Sequence, residues 1–180
     1  MNKIVKALLY VESIYALGAG LFLPIFAIFS QKIGGDIFDA GVAAALFLIA
    51  TSTLEWPIGI WLDKFKEKWF LAGDYFLEAF VFLGYIFVGN KWELFALQIV
   101  LGVASAIGNP AWESLYDKNT PNITSGRSWA RAHMYIGYCA GFGILIGSFL
   151  AQLYGFNVVF LLGSVFSFIA GISTIIFLKK

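Results

Sequence analysis

Long apolar runs separated by short polar segments dominate the pattern of this sequence. Six such runs, bounded by charged or turn residues, lie at residues 4–29, 37–62, 69–88, 92–116, 128–153 and 158–178. Each has the ~20 residues that an α-helix needs to cross ~30 Å of hydrocarbon. The runs lack the apolar–polar alternation of strands in a membrane barrel, so helices are the predicted structure. The pattern predicts an all-α polytopic membrane protein with one domain over residues 1–180.

Composition agrees with a location in the bilayer. Hydrophobic residues make up 60% of the chain and charged residues only 13%, whereas roughly a quarter of the residues of a soluble domain are charged. The mean hydropathy is +0.82. The first run carries Glu12 and ends without a small-residue cleavage site, so we expect it to stay as a span and not to be removed as a signal peptide.

The basic residues predict the orientation of the chain. If the N-terminus is cytoplasmic, ten of the twelve basic residues lie inside and two, Lys32 and Lys91, lie outside. The inside set consists of Lys3, Lys6, Lys64, Lys66, Lys68, Lys118, Arg127, Arg131, Lys179 and Lys180. This distribution follows the positive-inside rule. We therefore expect both termini in the cytoplasm and a multi-pass protein of the cell membrane, either plasma or bacterial inner membrane.

The segment between the second and third runs has a distinctive spacing. Gly59 is followed four residues later by Asp63, and then by Lys64 and Lys68. The spacing resembles the loop between helices 2 and 3 of major facilitator superfamily transporters, G-x-x-x-D-(R/K)-x-G-(R/K)-(R/K). The family's second glycine and the base after it are replaced here by lysine and glutamate.

The resemblance covers essentially the whole chain, which is similar to the N-terminal six-helix half of a twelve-helix transporter. It implies six spans arranged as a 3+3 inverted repeat and movement of a small solute by alternating access. Gln98 stands where many members have an arginine linked to proton coupling. The fifth run also lacks the glycine–proline pair of many proton-coupled antiporters, and both departures argue against drug–proton antiport.

The first and fourth runs share an interrupted pattern. The first contains Gly18, Gly20 and Pro24, and the fourth contains Gly102 and then the sequence 108–110, Gly-Asn-Pro. In transporters such interruptions often mark the helices that line the binding site. Glycine and proline are also common in membrane helices generally, so both interpretations stay open.

The loop after the second run predicts a contact between helices. Gly59 permits close approach of a neighbouring helix, and Asp63 is placed to accept hydrogen bonds from amides at a helix N-terminus. Lys64 and Lys68 are expected among the lipid headgroups. The alternative is that this lysine-rich loop only fixes the topology.

The superfamily resemblance also predicts an oligomer. In that family helix 2 of one half packs on the counterpart of helix 5 in the other half. We therefore expect a parallel homodimer in which the second run packs on the partner's fifth run, with Asp63 near residues 126–129. The glycine pairs 137/141 and 143/147 suit such packing, although they suit packing within one protomer equally. The alternatives are a separate six-helix partner, or a non-transporting subunit or truncated half-transporter.

Polar residues inside the runs are the candidate binding residues, because such groups at membrane depth usually face a cavity or a partner. Glu12, on one helical face with Tyr15, is the first choice for a substrate or proton site. Gln98 is expected to face the same cavity, and Asn109 offers a further hydrogen bond. Because Glu12 has no basic partner at its depth, the solute is expected to be an organic cation or a neutral compound, with proton coupling as an option.

A second set of charged residues lies towards the cytoplasmic side. Glu55, Asp74 and Glu78 are candidate titrating carboxylates. Asp74 and Glu78 are one helical turn apart, so they face the same way and are expected to share a proton. Together with Glu113 and Arg131 they predict a salt-bridge network at a cytoplasmic gate, which we favour for this group over substrate binding.

Other chemistries lack their residues in this sequence. One cysteine, Cys139, and one histidine, His133, are too few for a disulfide or a typical zinc site. The sequence contains no phosphate loop and no dinucleotide fingerprint, and no nucleophile–base pair is apparent at one depth. We predict no enzyme activity, no cofactor, no metal and no nucleic-acid partner.

Overall fold

The computed structural model describes residues 2–120 and 125–178, which are helical apart from short connections. The helices are α1 (Lys3–Phe22), α2 (Phe26–Lys32), α3 (Ile37–Leu62), α4 (Glu67–Tyr85), α5 (Lys91–Lys118), α6 (Ser125–Tyr154) and α7 (Phe156–Phe177). A 3-10 turn, Leu23–Ile25, joins α1 to α2. No strand occurs in the part of the chain that the structure describes, and the predicted all-α class is confirmed. Lys179 and Lys180 lie outside the described residues.

Within residues 2–120 and 125–178, five helical stretches are long and apolar enough to cross a membrane. They are Lys3–Lys32, Ile37–Leu62, Lys91–Lys118, Gly126–Tyr154 and Phe156–Phe177. The remaining long helix, α4, has 19 residues and carries the buried acids Asp74 and Glu78. Its charged residues lower its hydropathy, so membrane crossing by α4 stays a prediction from the sequence.

Local signals fix several helix ends. At the start of α3, the Asp36 side chain accepts from the amide of Asp39, and the Asp39 side chain accepts from the amide of Asp36, which is a capping box. Asn90 caps α5 by accepting from the amides of Trp92 and Glu93. Between α6 and α7 a single residue, Gly155, turns the chain with φ of 81°, a conformation that glycine adopts without a steric penalty.

The prolines inside the spans have different effects on their helices. Pro24 lies in the 3-10 turn that breaks the first span. Pro57 and Pro110 lie inside α3 and α5, which continue through them. The interruption expected in the fourth run is therefore not a break in the helix. A proline removes one backbone donor, and neighbouring helices in a bundle can compensate for it.

The helices pack in a definite spatial order. α1 packs on α6 and α7, α4 packs on α7 and α5, and α5 packs on α3. The order across the bundle is therefore α6, α1, α7, α4, α5 and α3. α3 and α6 lie at its two ends and are the least buried of the long apolar helices.

Small residues allow the tightest of these contacts. Gly102 of α5 lies against the α3 backbone, and the Thr51 hydroxyl donates to the Gly102 carbonyl oxygen over 3.2 Å. Gly143 and Gly147 of α6 lie against the α1 backbone at Leu17 and Leu21. Such close approach of backbones is typical of membrane helices.

A cluster of aromatic side chains fills one end of the bundle. This aromatic cluster consists of Phe22, Phe29, Phe82, Tyr85 and Phe160. Phe22 stacks on Tyr85 with ring centroids 4.8 Å apart, and Phe29 meets Phe160 edge-to-face at 4.8 Å. All five side chains are buried, so the core of the bundle at this end is aromatic and uncharged.

Candidate functional site

An acidic cavity of about 80 Å³ lies between α1, α4 and α5. Three of the carboxyl groups that line it are Glu12 from α1 and Asp74 and Glu78 from α4. The volume is enough for a few water molecules, since one water requires about 10–15 Å³ on this measure. The structure thus brings together three of the acids that the sequence singled out.

Two tyrosines connect α1 to α4 across this cavity in a reciprocal way. The Tyr75 hydroxyl of α4 donates to Glu12 Oε2 of α1 over 2.6 Å. The Tyr15 hydroxyl of α1 donates to Glu78 Oε1 of α4 over 2.9 Å. In each helix the two residues are three positions apart and therefore on one face. Each helix thus supplies one acid and one hydroxyl donor to the other.

Glu78 and Asp74 are buried with part of their hydrogen-bonding capacity unused. Glu78 is 2% exposed; Ser105 Oγ lies 3.4 Å from its Oε1, and its Oε2 has no hydrogen-bond partner among the described residues. Asp74 is 5% exposed, and its Oδ1 also has no partner there. Unpaired buried polar atoms are costly, and acids at membrane depth usually serve a function.

Asp74 fits beside α5 because residue 108 is glycine. A Cβ atom at Gly108 would overlap the Asp74 carboxyl group. The carboxyl group therefore lies directly against the α5 backbone, and residue 108 must lack a side chain for the cavity to keep this shape.

A larger, apolar pocket of about 260 Å³ adjoins the acidic cavity. Its walls include Phe22, Phe26, Phe47, Phe82 and Leu101. Tyr15, Glu78 and Ser105 line both spaces. Glu78 therefore lies at the boundary between an acidic cavity and an aromatic-walled pocket.

The two uncharged candidates of α5 lie in different places. Gln98, which is buried, lines the apolar pocket, whereas Glu12 lines the acidic cavity. The expectation that Gln98 faces the cavity of Glu12 is therefore not met. Asn109 lines the acidic cavity, and its Nδ2 donates to Glu55 Oε1 of α3 over 2.8 Å. This hydrogen bond connects α5 to α3 beside the cavity.

The signature-loop residues lie on an open surface of the described chain. A Cβ atom at Gly59 would have no atom within 4 Å. Asp63 follows α3 as its C-cap residue and is exposed, as is Lys64. Lys68 lies in the first turn of α4, with its Nζ 4.9 Å from the centroid of the Trp69 ring. The loop is accessible to a partner helix, and the latch predicted for Asp63 stays a prediction.

Only some of the predicted gate residues line the acidic cavity. Glu113 lines the acidic cavity and Arg131 is half-buried on α6. Glu78 is hydrogen-bonded to hydroxyl groups and not to a basic side chain among the described residues. Ion pairs join Lys118 to Glu67, and Lys91 to Asp39 over 3.1 Å. The salt-bridge network proposed for the whole group stays a prediction.

Two further polar residues of the site, Tyr75 and Ser105, were not singled out from the sequence. Ser105 precedes Asn109 by four residues, so a common face of the fourth run was available as a signal. Tyr75 precedes Glu78 by three residues, as Glu12 precedes Tyr15, and this repeated acid–tyrosine spacing was the signal for the reciprocal pair.

Comparison with known proteins identifies the relatives of this chain. The family model of the Major Facilitator Superfamily matches residues 8–180. The multi-drug resistance efflux pump PmrA of Streptococcus pneumoniae is 32% identical over 88% of this chain and 40% of its own length. An uncharacterized MFS-type transporter of Methanocaldococcus jannaschii, MJ1560, is 28% identical over 80% of this chain and 37% of its own length.

The length covered differs among the relatives. The matched part of the chain spans well under half of the length of each of the two relatives just described. It also matches the uncharacterized MFS-type transporter YitZ of Bacillus subtilis, with 21% identity over 86% of this chain and 94% of that protein. Proteins similar to this chain therefore include one of comparable length.

Proposed function

The chain belongs to the Major Facilitator Superfamily, and from this premise we propose that it moves a small solute across a cell membrane by alternating access. The observation that carries the proposal is the boundary position of Glu78. One carboxyl group there borders both the acidic cavity and an apolar pocket of about 260 Å³. Pockets with apolar walls and a few placed polar groups are typical of small-molecule sites.

The chemistry of the apolar pocket favours a lipophilic organic cation as the solute. Aromatic rings attract a cation through their π-faces, and Phe22, Phe47 and Phe82 line this pocket. Glu78 supplies a carboxyl group and Gln98 a neutral hydrogen-bonding group on its wall. The relative PmrA is a multi-drug resistance efflux pump, which supports a pocket of this broad type.

Under this proposal, Glu12 and Asp74 hold a shared proton next to the solute site. Both border the acidic cavity together with Glu78, and like charges so close together hold a proton in common. Arrival of a cation at Glu78 would favour release of that proton. The two departures from the antiporter pattern, at Gln98 and in the fifth run, argue against coupling of this release to transport.

Uptake of tetraphenylphosphonium by proteoliposomes that contain the full chain tests the solute site. Glu78→Gln keeps the size and the hydrogen-bond acceptor but removes the charge, so we expect uptake to fall about tenfold or more, a difference of ~1.4 kcal/mol. The matched control is Glu93→Gln, because Glu93 is exposed near the start of α5. Equal uptake by the two variants would contradict the proposal.

The arrangement of helices supports the predicted 3+3 repeat. An exchange of the first three spans with the last three replaces α1 by α5, α3 by α6 and α4 by α7, and the reverse. Under this exchange the contact of α1 with α6 becomes the contact of α5 with α3. The contact of α1 with α7 likewise becomes that of α5 with α4. We propose that α1–α4 and α5–α7 are inverted repeats, with both termini cytoplasmic as the lysine distribution predicts.

We also propose that the chain works as a parallel homodimer through α3 and α6. A Cβ atom at Gly59, Gly137 or Gly141 would have nothing within 4 Å, so these positions are open to a partner. Gly143 and Gly147, by contrast, pack on α1 within the protomer and do not contribute to the proposed interface.

Cysteine crosslinking between differently tagged protomers tests this interface. In a Cys139→Ser background, a protomer with Gly59→Cys is expected to crosslink to one with Ala130→Cys, since Ala130 is exposed near the start of α6. Phe168→Cys on the exposed face of α7 is the control and should not crosslink. A persistent monomer by native mass spectrometry in nanodiscs would contradict the homodimer and favour a separate six-helix partner or a non-transporting half.

A further inference from the structure

A second charged cavity lies at the end of the bundle where α1 and α4 begin and α5 and α7 end. This lysine cavity has a volume of about 400 Å³ and is separate from the acidic cavity. Its polar lining consists of Lys66, Glu67, Lys68, Lys118 and Asn119. Nothing in the proposed solute pathway uses these residues.

The lysine cavity carries a surplus of positive charge. Three lysines and one glutamate line it, which leaves a net charge of +2 by subtraction. Glu67 is ion-paired with Lys118, so the charges of Lys66 and Lys68 are not cancelled by it. α4 begins here at Glu67, and a helix N-terminus adds partial positive charge. An anion of more than one negative oxygen matches this lining.

The rest of the lysine cavity is apolar. Ile4, Leu115 and Leu178 line it from α1, α5 and the end of α7. Close by on the loop and α4, Phe65 and Trp69 are exposed by 65% and 54%. Exposed aromatic residues next to lysines are typical of the membrane–water boundary. The cavity therefore has a charged part for an anion and an apolar part for a hydrocarbon chain.

We propose that the lysine cavity binds the phosphate headgroup of an anionic phospholipid from the adjoining leaflet. Lys66 and Lys68 contact the phosphate oxygens, and the first part of an acyl chain lies on Ile4, Leu115 and Leu178. Basic pockets between membrane helices bind anionic headgroups in this way. A free phosphate shares the headgroup chemistry but leaves the apolar part of the cavity unused. The inference does not depend on the proposed solute.

Native mass spectrometry of the full chain, released from nanodiscs of mixed lipids, measures the lipid that remains bound. We expect wild-type protein to retain phosphatidylglycerol in preference to phosphatidylcholine. Lys66→Gln with Lys68→Gln is expected to weaken this preference roughly tenfold or more, because each lysine near an anionic surface contributes substantially. The matched control, Lys3→Gln with Lys6→Gln, removes two exposed charges at the same end of the bundle and is expected to keep the preference.

A second variant separates the lipid from a free anion. Leu115→Trp keeps all the lysines but fills the apolar part, so phosphatidylglycerol retention should fall while competition by inorganic phosphate stays unchanged. An equal loss in the two double-lysine variants would overturn the proposal, because diffuse surface charge would then explain the binding. Full displacement of the lipid by millimolar inorganic phosphate, with no effect of Leu115→Trp, would overturn it in favour of a free anion.

Discussion

The aromatic cluster and the acidic cavity are built from overlapping sets of helices, but the cluster is uncharged whereas the cavity is lined by carboxyl groups. In the cluster Phe160 contacts the rings of Phe22, Phe29 and Tyr85, and the side chains are buried without charge. In the cavity, each of the acids Glu12 and Glu78 accepts a hydrogen bond from a tyrosine hydroxyl of the other helix. α1 and α4 contribute to both regions.

The difference shows which region of the bundle contributes stability and which region holds polar groups available for a function. Aromatic pairs contribute to stability beyond the area that they bury. The acidic cavity instead keeps space and polar atoms without partners, such as Asp74 Oδ1, which costs stability. We therefore expect the two regions to respond differently to substitution.

The largest effect is expected in the aromatic cluster. Phe160→Ala removes a ring from the centre of the cluster, and the free energy of unfolding should fall by about 3–5 kcal/mol. Reversible unfolding in bicelles with increasing detergent measures this change. Phe142→Ala is the matched control, because Phe142 is 61% exposed, and it should change the value by less than ~1 kcal/mol. Similar losses in both variants would remove the contrast between the cluster and the lipid-facing surface.

A smaller loss is expected where the acidic cavity meets α5. Gly108→Ala places a methyl group on the Asp74 carboxyl group, so the free energy of unfolding should fall by about 1–3 kcal/mol. Adding Asp74→Ala removes the two closest contacts, those with the carboxyl group, and leaves only the contact of 2.8 Å between the two Cβ atoms, so the double variant should regain part of the loss. Gly73→Ala has open space around it and serves as the control. A failure of Asp74→Ala to rescue stability would show that the collision is not the cause.

The smallest effect separates two tyrosines, Tyr15, which is half-buried, and Tyr85, which is buried. Tyr15→Phe removes the donor to Glu78 Oε1, and the free energy of unfolding should fall by about 1 kcal/mol. The Tyr85 hydroxyl has no hydrogen-bond partner in the described part of the chain, so Tyr85→Phe should be neutral or slightly stabilising. Both are measured by the same unfolding titration. A larger loss from Tyr85→Phe would mean that the aromatic cluster also depends on polar contacts.

Local sequence signals account for most of the fold. α3 begins and ends at the residues predicted, because Asp36 caps its start and polar residues follow Leu62. The all-α class follows from the length of the apolar runs. The effect of proline was harder to predict, since Pro24 breaks its span and Pro110 does not, and that outcome depends on the neighbouring helices.

The candidate site was predictable only within single helices. Asp74 and Glu78 line one cavity, as their spacing of one turn predicts. The pairing of Glu12 with Tyr75 depends on the position of α1 relative to α4, which no single run reveals. The error at Gln98 has the same origin: it lies seven residues, about 10 Å along the helix, from Ser105, where the acidic cavity meets the apolar pocket.

The reciprocal tyrosine–carboxyl pairs also determine how α1 and α4 can move. Each pair is three residues from the other along both helices, so a slide of α1 along α4 changes both hydrogen bonds at once. A slide of α1 by one turn, about 5.4 Å, breaks both hydrogen bonds together. The two pairs therefore oppose sliding of α1 along α4, and they do not oppose motions that keep the two helices in register.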